Sequence, residues 1–194
     1  MPDFRSLTLF VVRHGECEHN AQGWAAGHDD SPLTAKGRGH ARANGRLLAE
    51  LADVTTLDFF ASSLHRACTT MELLREAAGL PPTGYRADGR LMEGNLGDHR
   101  RMPTQEFLTH PEYLADPWNY VRPNGESVAM VHARAGGLLE SLRRDCVIVT
   151  HALTASMIRA HALDLSPEQA MGYHMPNAGL LRLSMGTEAR FGGE

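Results

Sequence analysis

Residues 10–20, FVVRHGECEHN, decide the fold of this chain. The apolar run at residues 7–12 is rich in β-branched side chains, which predicts a strand buried on both faces, as in a parallel sheet. The run ends on Arg13, His14, Gly15 and Glu16. Because ligands of open α/β sheets bind outside the carboxyl ends of the strands, these side chains are candidates for a functional site.

The rest of the chain alternates between strand and helix patterns. Further strand patterns lie at residues 57–63, 146–150 and 179–185. Helix patterns lie at residues 34–51, 63–79, 126–143 and 152–163, with a capping box at 166–169. Thr34 is the predicted cap of the first helix, and Ser62 or Ser63 that of the second. The alternation predicts an α/β fold, a three-layer α/β/α sandwich with a mostly parallel central sheet whose strand order stays open.

Residues 94–124 interrupt this alternation. Four prolines punctuate the segment, and aromatic residues lie between them: Phe107, Tyr113, Trp118 and Tyr120. Because such rings need burial, we expect a lid-like excursion over one face of a single domain spanning residues 1–194, and not a linker.

Bulk composition excludes several classes of protein. The 194 residues suffice for one domain with a core, and the net charge of −4 argues against a nucleic-acid or anionic-membrane partner. No apolar run approaches the roughly 18 residues of a membrane span, and the first residues do not form a signal peptide. Cys17, Cys68 and Cys146 are odd in number and widely spaced, which predicts free thiols and a cytoplasmic protein. The oligomeric state cannot be predicted.

Three predicted strands end near residues that suit an anion. Arg13 and His14 follow the first strand, Arg66 lies near the start of the helix after the second, and His151 follows the third. If these strands are parallel neighbours, two imidazoles and two guanidiniums meet at one sheet edge. Burying like charges costs free energy unless an anion lies between them, and phosphate matches the planar fork of arginine.

This set of residues suggests phosphoryl transfer. A neutral histidine can attack phosphorus, and nearby guanidiniums keep it neutral by disfavouring its protonation. The remaining donors would stabilise the equatorial oxygens of the transition state. The leaving oxygen needs a proton, for which Glu93 is the candidate, although spacing alone does not place it in the pocket.

Five motifs in a fixed order resemble the histidine phosphatase superfamily, the phosphoglycerate-mutase-like proteins. They are Arg13-His14-Gly15-Glu16 with Asn20, Gly27 and residues 31–34; residues 62–67; Glu93 with Leu96-Gly97; residues 124–127; and residues 147–151. The resemblance covers roughly residues 8–184 and implies the phosphoglycerate-mutase-like fold.

The resemblance also implies roles. His14 would be the phosphorylated nucleophile, with Arg13, Arg66 and His151 around the phosphoryl group, and Glu93 the proton donor. A second set would contact phosphate or substrate: Asn20 in the phosphate pocket, the backbone at Ala26 and Gly27, and Ala152. The resemblance implies no metal and no organic cofactor.

Departures from the family pattern concern the substrate and not the chemistry. Ala26 and Ala152 stand where the family often has Gln and Gly, and His99-Arg100-Arg101 replaces a frequent Trp-Glu-Gly run. We favour a solvated charge run for residues 99–101. The alternative is that Arg100 and Arg101 bind a second anionic group of the substrate.

Three functions remain open at this stage. We favour hydrolysis of a small phosphomonoester through a phosphohistidine. A phosphoglycerate mutase primed by bisphosphoglycerate is the alternative, which the short chain and modest excursion disfavour. An inactive phospho-ligand-binding protein is the third, although a binder needs neither His14 nor Glu93. The eleven histidines lack the spacing of a metal site, since neither a His-Glu-x-x-His nor a paired-cysteine motif occurs.

Overall fold

A computed structural model describes residues 3–192, apart from the side chain of Phe107. Its strands are β1 (Thr8–Arg13), β2 (Asp58–Ser62), β3 (Arg86–Asp88), β4 (Cys146–Thr150), β5 (Leu180–Ser184) and β6 (Thr187–Phe191). Its α-helices are α1 (Glu18–Ala21), α2 (Ala35–Leu51), α3 (His65–Ala77), α4 (Thr104–Leu108), α5 (Pro111–Ala115), α6 (Val128–Leu139), α7 (Ala152–Leu163) and α8 (Pro167–Met171).

The strands form one sheet in the order β3-β2-β4-β1-β5-β6. The first four strands of this order pair in parallel, whereas β5 and β6 pair antiparallel. Arg13 pairs with Thr150 across β1 and β4, and Ala61 pairs with Val149 across β2 and β4. The register therefore brings the carboxyl ends of β1, β2 and β4 to the same edge.

The sheet is covered on both faces, as the continuous apolar strands predict. In β1, Leu9 and Val11 join the core that α6 and α7 cover, and Phe10 and Val12 join the core beneath α2 and α3. Each such buried side chain stabilises the fold by about 1.5–3 kcal/mol, so a charged residue at Val11 would disrupt the centre of the sheet. The predicted α/β/α sandwich with a mostly parallel sheet is confirmed.

Three local expectations are corrected. The chain beyond 179–185 turns back into β6, and the turn residues Met185 and Gly186 both have positive φ (48° and 73°), the geometry of a tight hairpin turn. Neither Ser62 nor Ser63 caps α3, because Ser62 still belongs to β2 and the cap position is Leu64. The helix predicted over 126–143 is shorter, and ends at Leu139.

Residues 94–124 form an excursion with two short helices, α4 and α5. It pairs with the loop after α1: the Ala25 N–H donates to the Met102 carbonyl and the Thr104 N–H to the Gly23 carbonyl, both at 3.0 Å. Trp118 packs against the core, but it is only half-buried, as are Tyr113 and Tyr120. The Phe107 side chain lies outside the described part of the chain. The aromatic residues therefore cover one face incompletely.

Two bulk expectations bear on the described residues. All three cysteines are free thiols. Between residues 3 and 192, no helix has both the length and the apolar character that crossing a bilayer requires.

Candidate active site

The sheet edge brings together the residues that the three strand ends predict. The His14 N–H donates to the Thr150 carbonyl at 2.8 Å, which fixes the turn after β1 beside the end of β4. The rings of His14 and His151 lie 4.9 Å apart between centroids, edge to face. The Arg66 Nε–H points at Nε2 of His14 from 3.3 Å. Residues distant in sequence thus meet within the span of one tetrahedral anion.

The hydrogen bonding, burial and charge environment of His14 suit a nucleophile. Its Nδ1 lies 2.8 Å from the carbonyl oxygen of Gly15, so Nδ1 carries the proton and Nε2 keeps a lone pair. The side chain is buried, with 3% of its surface exposed. Burial, followed by the positive charges of Arg66 and Arg13, holds the pKa of His14 well below its usual value. The ring is therefore neutral near pH 7.

Gly15 allows the turn after β1 to lie against the start of α2. A Cβ at Gly15 would stand 2.1 Å from the carbonyl oxygen of Gly37, and one at Gly37 would stand 1.9 Å from that of Glu16. Glu16 stabilises the same junction, since its carboxylate accepts from the Thr34 hydroxyl at 2.8 Å while that hydroxyl caps α2. Only glycine fits this close crossing of two backbones.

Arg66 is fully buried and anchored by oxygens of the loop before α2. It donates to the carbonyls of Gly27 (2.7 Å) and Asp29 (3.0 Å) and to the carboxylate of Asp30 (3.1 Å). Asp30 also accepts from the backbone N–H groups of His65 and Arg66, so it caps α3 in place of the predicted serine. The guanidinium is thereby fixed, leaving its Nε–H directed at His14.

Arg13 lies on the other side of the pocket. Its Nη1 donates to the Met175 carbonyl at 2.7 Å and lies 3.1 Å from Nε2 of His174. Its Nε is buried and has no hydrogen-bond partner. A buried donor without a partner costs free energy, which a bound phosphoryl oxygen would recover.

His151 lies behind His14. Its Nε2 is 2.8 Å from the Ser62 hydroxyl, while its Nδ1 is buried without a partner. Burial, Arg66 and His14 lower the pKa of His151 well below its usual value. Its neutral ring therefore has one nitrogen without a protein partner, and the ring lies beneath His14, outside the residues that line the cavity.

Glu93 lines the same cavity as His14, at the N-terminus of α7. Its carboxyl oxygens accept from the backbone N–H groups of Gly94 (3.1 Å), Leu153 (3.2 Å) and Thr154 (3.3 Å). Arg134 donates to the Glu93 backbone carbonyl at 2.9 Å. These contacts fix the carboxyl group at the wall of the cavity.

The site opens into a cavity of about 500 Å³. Asn20, Ala26, Gly27 and Ala152 all line it, as the resemblance implies. The Asn20 side-chain oxygen accepts from Asn177, which also donates to the His14 carbonyl at 3.1 Å.

Arg100 and Arg101, the alternative candidates for substrate contacts, are not among the residues that line this cavity. The Arg101 side chain forms an ion pair with Asp29, and Arg100 is exposed. The favoured interpretation, a solvated charge run, agrees with this placement.

Four further residues shape the site without having been predicted: Asp30, Arg122, His174 and Asn177. Asp30 and Asn177 act through long-range hydrogen bonds, and no local spacing reveals such partners. Arg122 is buried on the cavity wall, although a single arginine in a proline-rich segment resembles any solvated cation. Within residues 3–192, no group of three or more His, Cys, Asp or Glu side chains could hold a metal ion.

The chain is similar in sequence to several curated proteins. The chain is 30% identical over 169 residues to the adenosylcobalamin/alpha-ribazole phosphatase of Salmonella typhimurium. This alignment covers 82% of this chain and 81% of that protein. It is 34% identical over 142 residues to the "Probable phosphoglycerate mutase GpmB" of Shigella dysenteriae, covering 71% and 63%. It spans only 38% of the length of 6-phosphofructo-2-kinase/fructose-2,6-bisphosphatase 3 of Bos taurus.

Solved structures show the same relationship. A mycobacterial glucosyl-3-phosphoglycerate phosphatase, solved as a complex with VO3, superposes with a TM-score of 0.77 at 26% identity, covering 95% of this chain and 96% of that one. A family model described as the histidine phosphatase superfamily, branch 1, matches residues 9–191. The chain therefore belongs to the histidine phosphatase superfamily, branch 1.

Proposed function

We propose that the protein hydrolyses small phosphomonoesters through a phosphohistidine formed at His14. The observation that carries the proposal is the neutral, buried Nε2 of His14 with the Arg66 Nε–H 3.3 Å away and the His151 ring at 4.9 Å. A cavity of about 500 Å³ suits a small molecule, as such sites commonly enclose roughly 300–1,000 Å³. The complex of the mycobacterial relative with VO3, a phosphate analogue, supports the proposal by analogy.

In the first step, the lone pair of His14 Nε2 attacks phosphorus and the bond from phosphorus to the ester oxygen breaks. Arg13, Arg66 and His151 donate hydrogen bonds to the equatorial oxygens, where negative charge is held in the transition state. Protonated Glu93 gives its proton to the departing oxygen, so that an alcohol leaves and a carboxylate remains.

In the second step, the Glu93 carboxylate takes a proton from water while the water oxygen attacks phosphorus. The bond from phosphorus to Nε2 breaks, and inorganic phosphate leaves a neutral His14 and a protonated Glu93. The hydrogen bond from Nδ1 to the Gly15 carbonyl stabilises the positive charge that the ring carries between the two steps. The cycle thus regenerates both groups.

Replacing the nucleophile tests the proposal. His14→Ala should lower kcat/KM for p-nitrophenyl phosphate by about 10⁵-fold or more, on the scale of losing a covalent nucleophile. His65→Ala is the matched control, because that exposed histidine of α3 lies outside the cavity lining and should retain activity. Full activity in His14→Ala, with an unchanged urea midpoint, would refute the nucleophile. Tight phosphate binding without any turnover by the wild type would instead favour the inactive binder.

A phosphoglycerate mutase is the second candidate, favoured by one observation. Arg122 places a third buried guanidinium on the cavity wall, where it could hold a substrate carboxylate, and the Shigella relative carries a mutase name. A mutase must exclude water, whereas Trp24 on the same wall is 37% exposed, which favours hydrolysis. Assays of 3-phosphoglycerate with and without a 2,3-bisphosphoglycerate primer decide this. Isomerisation that depends on primer and outruns hydrolysis would support the mutase.

A further inference from the structure

The cavity is lined by two unlike sets of side chains. The first, which we call the phosphate end, carries Arg13, His14, Asn20, Arg66 and Glu93. The second, which we call the alcohol end, consists largely of apolar or aromatic side chains: Trp24, Leu108, Tyr113, Met171 and Tyr173. Whatever remains of a substrate beyond its phosphoryl group would lie against this second set.

Two hydroxyl groups of the cavity lining already have protein partners. The Thr104 hydroxyl donates to the Gly23 carbonyl at 3.1 Å. The Ser156 hydroxyl is 3.0 Å from the Ala152 carbonyl and 2.8 Å from the Tyr173 carbonyl. A substrate hydroxyl group placed beside either of them would find the side-chain donor already used, and an unpaired polar group is costly to bury.

Arg122 also lines the cavity and is engaged with the protein. It donates to the Glu126 carbonyl, and its guanidinium carbon lies over the Tyr113 ring, 5.8 Å from the ring centre. The guanidinium therefore makes a cation–π contact within the protein. The alcohol end thus offers apolar area and the aromatic side chains of Trp24, Tyr113 and Tyr173, which aromatic groups match.

Resting on the proposed function, we infer that the preferred substrates are phosphomonoesters of aromatic or bulky apolar alcohols. Sugars and other polyhydroxylated alcohols are the disfavoured class. The apolar walls select the alcohol by removing its apolar surface from water, while the phosphate end treats all monoesters alike.

Two alkyl esters with the same leaving-group chemistry test this inference. Benzyl phosphate and glycerol 3-phosphate are both esters of primary alcohols, so differences between them report on binding of the alcohol. We expect kcat/KM to be about 10-fold or more higher for benzyl phosphate, since an apolar pocket discriminates by about 10- to 200-fold per missing methylene. A ratio of benzyl to glycerol ester kcat/KM near one, or below it, overturns the inference but leaves the proposed function standing. If neither ester is hydrolysed, the proposed function fails and the inference with it.

A matched pair of leucines separates the cavity wall from the general surface. Leu108 in α4 lines the cavity and is 44% exposed, whereas Leu114 in α5 lies outside the lining and is 59% exposed. Leu108→Ser should lower the ratio of benzyl to glycerol ester kcat/KM by about 5-fold, and Leu114→Ser should leave the ratio unchanged. Both exposed positions tolerate serine without unfolding, which urea midpoints check. An unchanged ratio in Leu108→Ser, or equal losses in both variants, overturns the assignment of this wall to the alcohol.

Discussion

The phosphate end and the alcohol end of the cavity are built in opposite ways. At the phosphate end, buried charged and imidazole side chains follow parallel strands, and hydrogen bonds of 2.7–3.3 Å fix them. The alcohol end is formed in part by short helices of the excursion, and its side chains are half-exposed and apolar. The comparison indicates that the sheet determines the chemistry, whereas the excursion and neighbouring loops determine which alcohol is accepted.

The sharpest way to break this comparison is to alter Arg66. Arg66→Gln should lower kcat/KM by about 10³-fold, the scale of losing an arginine that stabilises transferring phosphoryl oxygens. The loss should be the same for benzyl phosphate and glycerol 3-phosphate, because the guanidinium touches only the common group. Arg66→Lys should recover little, since one ammonium cannot reach Gly27, Asp29 and Asp30 together. A loss that differs between the two esters would mean that the ends are not separate.

In the proposed mechanism Glu93 acts on the oxygen that joins the phosphoryl group to the alcohol, so its replacement should sharpen the comparison. Glu93→Gln should lower kcat/KM by about 10²-fold on benzyl phosphate, whose alkoxide needs a proton to leave. The loss should be under about 10-fold on p-nitrophenyl phosphate, whose phenolate leaves without protonation. Equal losses on the two esters would show that Glu93 is not the proton donor. Glu126→Gln is no suitable control, because Glu126 pairs with Arg134, which holds the Glu93 backbone.

Replacing Asp30 tests whether Arg66 depends on a partner outside the cavity lining for its position. Asp30→Asn weakens the ion pair with Arg66 at 3.1 Å and the cap of α3, and we expect about a 10-fold loss in kcat/KM with KM rising most. Asp53→Asn is the matched control, because Asp53 caps a short turn away from the cavity. If both variants lose the same amount, Asp30 has only a general role in stability.

Stability against acid gives the smallest expected effect and reports on the buried imidazoles. Because the pKa values of His14 and His151 are lowered in the folded protein, the unfolded chain binds more protons below its own pKa of about 6.5. The free energy of unfolding should therefore fall as pH drops below about 6.5, by about 1.4 kcal/mol per pH unit for each ring.

Urea unfolding at pH 7.5, 6.0 and 5.0 measures this slope. His14→Gln should reduce the slope by about one proton, while His132 and His174, whose pKa values are also lowered, contribute equally to both proteins. An identical slope in wild type and variant would contradict a neutral, buried His14. The same lowered pKa predicts that the acid limb of kcat/KM lies below the usual histidine range.

The sequence predicts the phosphate end of the cavity better than the excursion. Strand ends of a parallel sheet share an edge, so Arg13, His14 and His151 could be placed together from three local patterns. Asp30 and Asn177 could not, because they reach the site through contacts between segments far apart in the sequence. The cap of α3 was predicted wrongly for this reason: Asp30, 35 residues earlier in the chain, accepts from the His65 N–H, and it also accepts from the Arg66 N–H.

The excursion resisted prediction for a different physical reason. Its short helices follow prolines and loop contacts such as the pairing with residues 23–25, and not a hydrophobic period. Arg101 shows the consequence: its charge suggests an anion ligand, but a carboxylate of the protein, Asp29, pairs with it. Residue types in such a segment indicate chemistry only once the neighbouring chain is in place.

Trapping the covalent intermediate tests the central claim most directly. Enzyme mixed with excess ³²P-labelled benzyl phosphate and quenched rapidly in alkali should retain label that is stable to base, is lost in acid, and maps to the peptide containing His14. His14→Gln should retain no label under the same conditions. Turnover by the wild type without any protein-bound label, or label that persists in His14→Gln, would contradict the phosphohistidine and the chemistry assigned to this end of the sheet.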